Sequence, residues 1–134
     1  MSPRKILVTN ALPYANGEIH LGHLFGYIQS NIWVRFQRLM GHECHFVCGT
    51  DAHGTPVMLK AREENIDPET MVNQMMQSHI DAFSNFGVTY DSYHSTHTEQ
   101  NHAMVNEIYQ KLKDKDAFAK RSIEQAYDEE AGMF

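Results

Sequence analysis

The amino-acid sequence predicts an α/β protein: a parallel sheet with flanking helices, in three layers. Three observations carry that expectation. Residues 5–12 form a short apolar run rich in Ile, Leu and Val, and residues 45–48 form a second. Each has the length and composition of a strand buried on both faces. Between them, from His20 or Leu21 onward, apolar residues recur every three or four positions, which is the period of a helix. Strand, helix, strand at this spacing is a βαβ unit, with parallel strands and a right-handed crossover.

Each element has a local reason. Pro13 bounds the first strand, and residues 13–17 (Pro-Tyr-Ala-Asn-Gly) are dense in turn formers. The next helix places Leu21, Leu24, Phe25, Ile28, Ile32, Phe36 and Leu39 on a core-facing stripe, with Gln29, Arg35 and Arg38 elsewhere. Gly41 ends it in the C′ position. Thr55 as N-cap and Pro56 at the first helical position open a second helix that reaches about Asn65. Asp67-Pro68-Glu69 repeats the signal for a third helix, which carries Met71, Val72, Met75, Met76, His79, Ile80 and Phe83 and is closed by Gly87.

Residues 88–90 read as a third strand. Thr96 with Glu99 three positions later fits a capping box, ahead of a helix with Val105, Ile108, Tyr109 and Leu112 facing inward. Beyond Asp116 the signals weaken into short extended pieces, with a turn at residues 128–130. Met133-Phe134, directly after Gly132, reads as a strand beginning where the chain stops. A natural terminus is more often polar and frayed, so truncation is the expectation.

The 134 residues suffice for one domain, with 42% hydrophobic residues and 21% charged. That balance excludes a disordered tail, and no apolar run approaches the roughly 18 residues of a membrane span. The start lacks the long apolar stretch of a signal peptide, so the expectation is a cytoplasmic protein with no membrane partner. Cys44 and Cys48 fit small core residues in a reducing compartment. Residues 1–60 hold five Lys/Arg against three Asp/Glu, and residues 61–134 hold six against fourteen. Neither part is a basic stripe of the kind that grips a nucleic-acid backbone, so most contacts to any nucleic acid lie outside this chain.

In open α/β sheets, ligands bind beyond the carboxyl ends of the strands. Two loops occupy that place, residues 11–23 and residues 49–55. The first contains His20-Leu21-Gly22-His23. Two histidines three apart at a helix start share one face and add donors to the free N–H groups and positive dipole of the first turn. Gly22 lets a flat ring or a phosphate approach the backbone. This is chemistry for a triphosphate, built without the Gly-x-x-x-x-Gly-Lys-Ser/Thr loop. Asp51, at a strand end beside Thr50 and Gly49, suits an ammonium group, with a cap for its own loop as the structural alternative. His42-Glu43-Cys44-His45 does not have the spacing of a metal site, since strand residues 42 and 45 face opposite ways. His94 and His97 read as solvated loop histidines, and no metal ligands are expected.

Three stretches carry a resemblance. Residues 11–17 (Ala-Leu-Pro-Tyr-Ala-Asn-Gly), His20-Leu21-Gly22-His23, and residues 49–56 (Gly-Thr-Asp-Ala-His-Gly-Thr-Pro) together resemble the methionyl-tRNA synthetases. His-Leu-Gly-His is that family's form of the class I signature, and the flanking stretches narrow it to the methionine enzymes. The similarity runs from about Lys5 to the end, including Tyr93-His94-Ser95-Thr96. It implies the first half of a Rossmann-like catalytic domain over residues 1–134, entering the family's connective insertion at about 115–134.

The resemblance further implies ATP-dependent activation of methionine to methionyl-adenylate, then transfer to the 3′ end of tRNA(Met). His20 and His23 would be catalytic. Tyr14, Asn16, Gly17, His20, Gly22 and His23 would bind ATP, which arrives with Mg2+. Ala11, Leu12, Tyr14 and Asp51 would bind methionine, with Asp51 on its ammonium and His53 as loop support. The family's Lys-Met-Ser-Lys-Ser signature, zinc knuckle, second half of the sheet and anticodon-binding domain are absent from these residues. Cys44 and Cys48 cannot replace the four zinc ligands, and activity of the chain alone is not expected. Two other classes stay open: a small adenylyltransferase using His-x-Gly-His on a Rossmann sheet, and a non-catalytic binding module that holds a nucleotide or a partner protein.

Overall fold

A computed structural model describes residues 2–129. It contains β1 (Lys5–Thr9), α1 (Leu21–Leu39), β2 (Glu43–Thr50), α2 (Thr55–Glu64), α3 (Pro68–Asn85), β3 (Ser92–Ser95) and α4 (Glu99–Asp114). The strands form one parallel sheet in the order β1-β2-β3, with Ile6 opposite Cys44, Val8 opposite Phe46, and Cys48 opposite Tyr93. This is the expected parallel α/β arrangement. Two compact units divide the chain, residues 1–101 and residues 102–134. No described helix is long and apolar enough to cross a membrane.

The core of the first unit follows from strand alternation. Cys44 and Phe46 share one face of β2 and are buried with Leu24, Tyr27 and Val34 of α1, Phe83 of α3 and Val88. The ring of Phe83 meets Tyr27 edge-on, with centroids 4.7 Å apart. A fully buried Phe contributes about 1.5–3 kcal/mol, so Phe46 and Phe83 anchor both helices to this face. A second cluster joins Ala15, Ala52, Val57, Ala61, Met71 and Val72. It ties the loop after β1 to α2 and α3.

The expected capping signals hold at α3 and at the glycines after α1 and α3, and shift by one residue at α2 and two at α4. Asp67 caps α3, its carboxylate accepting from the Thr70 N–H at 3.0 Å. Gly41 and Gly87 follow α1 and α3 with φ of +82° and +68°, the left-handed conformation that a C′ glycine allows. The cap of α2 is Gly54 rather than Thr55. Thr98, not Thr96, accepts the Asn101 N–H at the start of α4.

The predicted core stripe of α1 is corrected. Its buried residues are Leu24, Tyr27, Asn31, Val34 and Gln37. Leu21, Phe25, Ile32, Phe36 and Leu39 are all exposed, and Ile28 is half-buried. The helix is turned by polar side chains that find partners inside. Tyr27 Oη donates to the Ala11 carbonyl at 2.7 Å, and Asn31 Nδ2 donates to the Gly87 carbonyl at 3.0 Å. Once bonded, these groups are buried at little cost, which a count of apolar residues does not register.

Three further expectations shift. The β1 ladder covers Lys5–Thr9, and Leu7 is 69% exposed, so β1 is covered on one face only. The third strand lies at Ser92–Ser95 rather than at residues 88–90. Val88 is instead drawn into the core. Asp91 explains the delay: its carboxylate accepts the Phe46 N–H at 2.7 Å and the Arg38 guanidinium, before regular pairing begins at Ser92. Finally, α4 has no buried residue, and Val105, Ile108, Tyr109 and Leu112 are exposed.

In the second unit, Tyr109 stacks on Phe118 with centroids 5.0 Å apart, while residues 117–127 form no helix or strand. Glu129 lies in a turn, as expected, while Asp128 is in a bridge rather than in the turn. Glu130 and the Met133-Phe134 pair lie outside the described residues.

Candidate active site

The loop from Asn10 to His20 joins the end of β1 to the start of α1. His20 is the N-cap, with extended backbone (φ −116°, ψ 173°), and its Nδ1 accepts from the N–H groups of Gly22 at 3.1 Å and His23 at 3.4 Å. His23 Nδ1 accepts from the His20 N–H at 3.4 Å, completing a reciprocal capping box. The two rings stack, with centroids 3.7 Å apart and planes 21° from parallel. Because each Nδ1 is an acceptor, each neutral ring carries its proton on Nε2. Two N–H donors are thus presented side by side at the positive end of a 19-residue helix.

Two points differ from the sequence reading. The first-turn N–H groups offered to a phosphate are partly taken by His20 itself. The reason for Gly22 is also local. A Cβ there would lie 3.0 Å from His20 Cε1 and 3.1 Å from Nδ1, so the bare backbone is what lets the His20 ring fold over the turn. Burial, then the charge of His20, holds the His23 imidazole below its ordinary value of 6.5.

The second loop leaves the end of β2. Asp51 and Tyr14 form an isolated parallel bridge, in which the Asp51 N–H donates to the Pro13 carbonyl and the Ala15 N–H donates to the Asp51 carbonyl, both at 2.8 Å. The two loops singled out in the sequence are therefore brought together here. Asp51 is half-buried, and its carboxylate has no hydrogen-bond partner among the described residues. Gly54 sits at φ +120°, and a Cβ there would lie 2.6 Å from Tyr14 Oη. The positive φ calls for glycine, and a side chain there would also push the Tyr14 hydroxyl aside.

The other predicted residues have different surroundings. Ala11 is exposed, and its carbonyl accepts from Tyr27. Leu12 is 44% exposed and lines an open cleft of about 250 Å³ with Thr9, Asn10, Cys48, Gly49 and Thr96. Tyr14 and Asp51 are not among the described residues lining it. Asn16 and Gly17 are exposed at the turn of the first loop. His53 is exposed and meets His97 edge-on, with centroids 5.5 Å apart. That is a partner the sequence did not suggest for His97.

Other residues support the site without having been singled out for it. Thr96 Oγ1 accepts from the Ala52 N–H at 3.0 Å and donates to the Thr50 carbonyl, bracing the chain on both sides of Asp51. Asn101 Nδ2 donates to the Thr96 carbonyl at 2.9 Å. His79 of α3, read from the sequence only as helix core, is fully buried. Its ring nitrogens lie 3.2 Å from Thr50 Oγ1 and 3.0 Å from the Gly17 carbonyl oxygen. Polar residues at core positions of a helix are the signal that could have marked it.

Among the described residues, no group of three or more His, Cys, Asp or Glu side chains could hold a metal ion. Cys44 is buried in the core and Cys48 is half-buried, both as free thiols, and burial pushes the Cys48 thiol up. A four-ligand zinc site does not fit them. His42 accepts from the Arg4 N–H while His45 pairs with Glu43, so the histidines flanking Glu43-Cys44 are not brought together.

The family described as tRNA synthetases class I (M) matches residues 6–134. The methionine–tRNA ligase of Francisella tularensis subsp. tularensis is 57% identical over 131 residues, covering 98% of this chain and 19% of its own length. That of Aromatoleum aromaticum is 55% identical over 132 residues, covering 98% and 18%. Among solved structures, Mycobacterium tuberculosis methionyl-tRNA synthetase in complex with methionyl-adenylate superposes with a TM-score of 0.81 at 22% identity. It covers 86% of this chain and 22% of that one. Agrobacterium radiobacter LeuRS, in a ternary complex with tRNA and LeuAMS, gives 0.79 at 21% identity, over 87% and 15%. The two structures share this Rossmann-like fold. The chain spans about a fifth of the length of the curated relatives it matches, and it belongs to the class I tRNA synthetases of the methionine type.

Proposed function

We propose that this chain supplies the ATP- and methionine-facing half-site of a cytoplasmic methionine–tRNA ligase. The observation that carries the reading is the pairing of two chemistries on one frame. Two Nε2–H donors stand at the start of α1, and an unpartnered carboxylate stands at the end of β2, on loops locked by the Tyr14–Asp51 bridge.

In the reaction, a methionine carboxylate oxygen attacks the α-phosphorus of ATP and the bond to pyrophosphate breaks. A ribose hydroxyl of the terminal adenosine of tRNA(Met) then attacks the adenylate's carbonyl carbon, forming the ester as the acyl–phosphate bond breaks and AMP leaves. No protein nucleophile is needed, so the residues act by positioning and by stabilising phosphate charge. His20 and His23 donate to the triphosphate, which enters with Mg2+. Asn16 and Gly17 flank the nucleotide beside Gly22. Asp51 holds the methionine ammonium in a charge-assisted pair, and Ala11, Leu12 and Tyr14 contribute to the amino-acid pocket. The connective insertion begins at about residue 115. The zinc site and most tRNA contacts fall to parts of the relatives not matched here.

Lys-Met-Ser-Lys-Ser does not occur in these residues, so nothing here supplies its lysines to the departing pyrophosphate. Calorimetry with a non-hydrolysable methionyl-adenylate analogue tests the reading. The chain is expected to bind it at least tenfold more tightly than the leucyl counterpart, roughly 1.4 kcal/mol, while catalysing no ATP–pyrophosphate exchange alone. Equal binding of the two analogues, or none, would contradict it.

A further inference from the structure

His79 is a buried titratable residue on α3 that the proposed chemistry does not use, and it joins the two loops that do. The direction of its hydrogen bonds can be worked out from the partners alone. The Gly17 carbonyl can only accept, so Nε2, 3.0 Å away, carries the proton. Neutral His79 then has an unprotonated Nδ1, which accepts the Thr50 hydroxyl at 3.2 Å. Thr50 Oγ1 in turn is 3.0 Å from Tyr93 Oη and accepts its proton. The result is one directed chain, Tyr93 to Thr50 to His79 to Gly17. It links β3, the end of β2, α3 and the turn of the first loop.

The surroundings keep His79 neutral. Burial is the larger influence in holding its imidazole below 6.5, the bond to Gly17 opposes it, and the nearby charges are those of His23 and Glu18. Gly17 itself has open space where a side chain would be, so no packing of its own fixes the turn. Thr50 immediately precedes Asp51. A single ring therefore spaces the turn at Asn16 and Gly17 from the carboxylate at the end of β2.

We propose that His79 is a positioning residue: as the Nε2–H tautomer it sets the nucleotide-facing turn at Gly17 against the strand end that presents Asp51. The inference rests on the functional reading above. It differs from a packing role because the two ring nitrogens have separate tasks. In H79Q the side-chain amide reaches the place of Nε2 and keeps the donor to Gly17. In H79N it reaches only the place of Nδ1 and keeps the link to Thr50.

Amide hydrogen exchange on the 134-residue chain separates the two. Exchange at Ala15 and Asp51, measured against β1 and β2 amides as internal reference, is expected to rise on the order of tenfold in H79N, the loss of one net buried hydrogen bond. It is expected to stay within about threefold of wild type in H79Q. Long-range 1H–15N spectra of the ring are expected to show the proton on Nε2. The methionyl-adenylate analogue should bind H79Q nearly as wild type and H79N on the order of tenfold more weakly. Equal behaviour of the two variants, a proton on Nδ1, or undiminished binding by H79N would overturn the proposal. If the loop difference appears but wild-type chain binds no analogue, the functional reading fails and the His79 tie stands.

Discussion

The imidazoles of His20 and His23 stack at 3.7 Å, and each accepts from the other residue's backbone N–H through Nδ1. The pair is at once the cap of α1 and a matched set of outward donors. Structural and chemical roles therefore share the same rings, with Nδ1 capping the helix and Nε2 facing outward. Removing His20 takes away a cap, a stacking partner and a donor together.

Gly22→Ala separates these roles. The new Cβ would meet His20 Cε1 and Nδ1 at 3.0 and 3.1 Å, so the ring must move and loosen its cap, at a cost of about 0.5–2 kcal/mol. Ala in a helix is favoured over Gly by roughly 0.5–1 kcal/mol, which offsets most of that. Urea melts should show a nearly unchanged midpoint, while affinity for the methionyl-adenylate analogue falls. A loss in both would mean the ring cannot relocate without unfolding the turn.

Stability is expected to depend on pH through His79 and His23. Both are held below their ordinary value of 6.5 in the folded chain. The unfolded chain therefore binds more protons below that value, and stability falls as pH drops from 6.5 toward the lowered folded values. Chemical denaturation at pH 7.5 and pH 5.5 checks the direction. H79Q should flatten the dependence.

The outward turn of α1 gives a third test. Phe25→Ser or Phe36→Ser, although they remove large apolar groups, should change stability by only about 0.5 kcal/mol or less, as surface changes do. Asn31→Leu should cost about 1–3 kcal/mol, because the Gly87 carbonyl and Thr89 N–H lose their partner. The order is the reverse of what the hydrophobic pattern of α1 would suggest.

At the β2–β3 junction, Asp91→Ala removes the acceptor for the Phe46 N–H and the Arg38 guanidinium. A loss of about 1.5–3 kcal/mol is expected, the range for hydrogen bonds to charged groups. Faster amide exchange at Phe46 should accompany it.

These cases also mark what the sequence could reveal. The βαβ order, the Asp67 cap and the glycines after α1 and α3 were legible because each depends on neighbours a few residues away. The loops bearing Tyr14 and Asp51 were legible as motifs, and they meet in one bridge. Asn31, Asp91 and His79 were not legible in these roles. Each is a polar residue whose burial or position depends on a partner at least 45 positions away. Hydrophobic periodicity misread the face of α1 for the same reason. It likewise placed the third strand on the apolar residues 88–90, ahead of where Asp91 permits pairing.

A methionine- and ATP-facing half-site formed by these residues should work inside a relative's frame. Replacing the matching stretch of the Francisella tularensis ligase with this chain, and measuring ATP–pyrophosphate exchange, checks this. The expected exchange requires methionine, is not supported by leucine or valine, and is lost in D51N and H20A while the chimera stays folded. A folded chimera without methionine-dependent exchange, or with exchange unaffected by both substitutions, would contradict it.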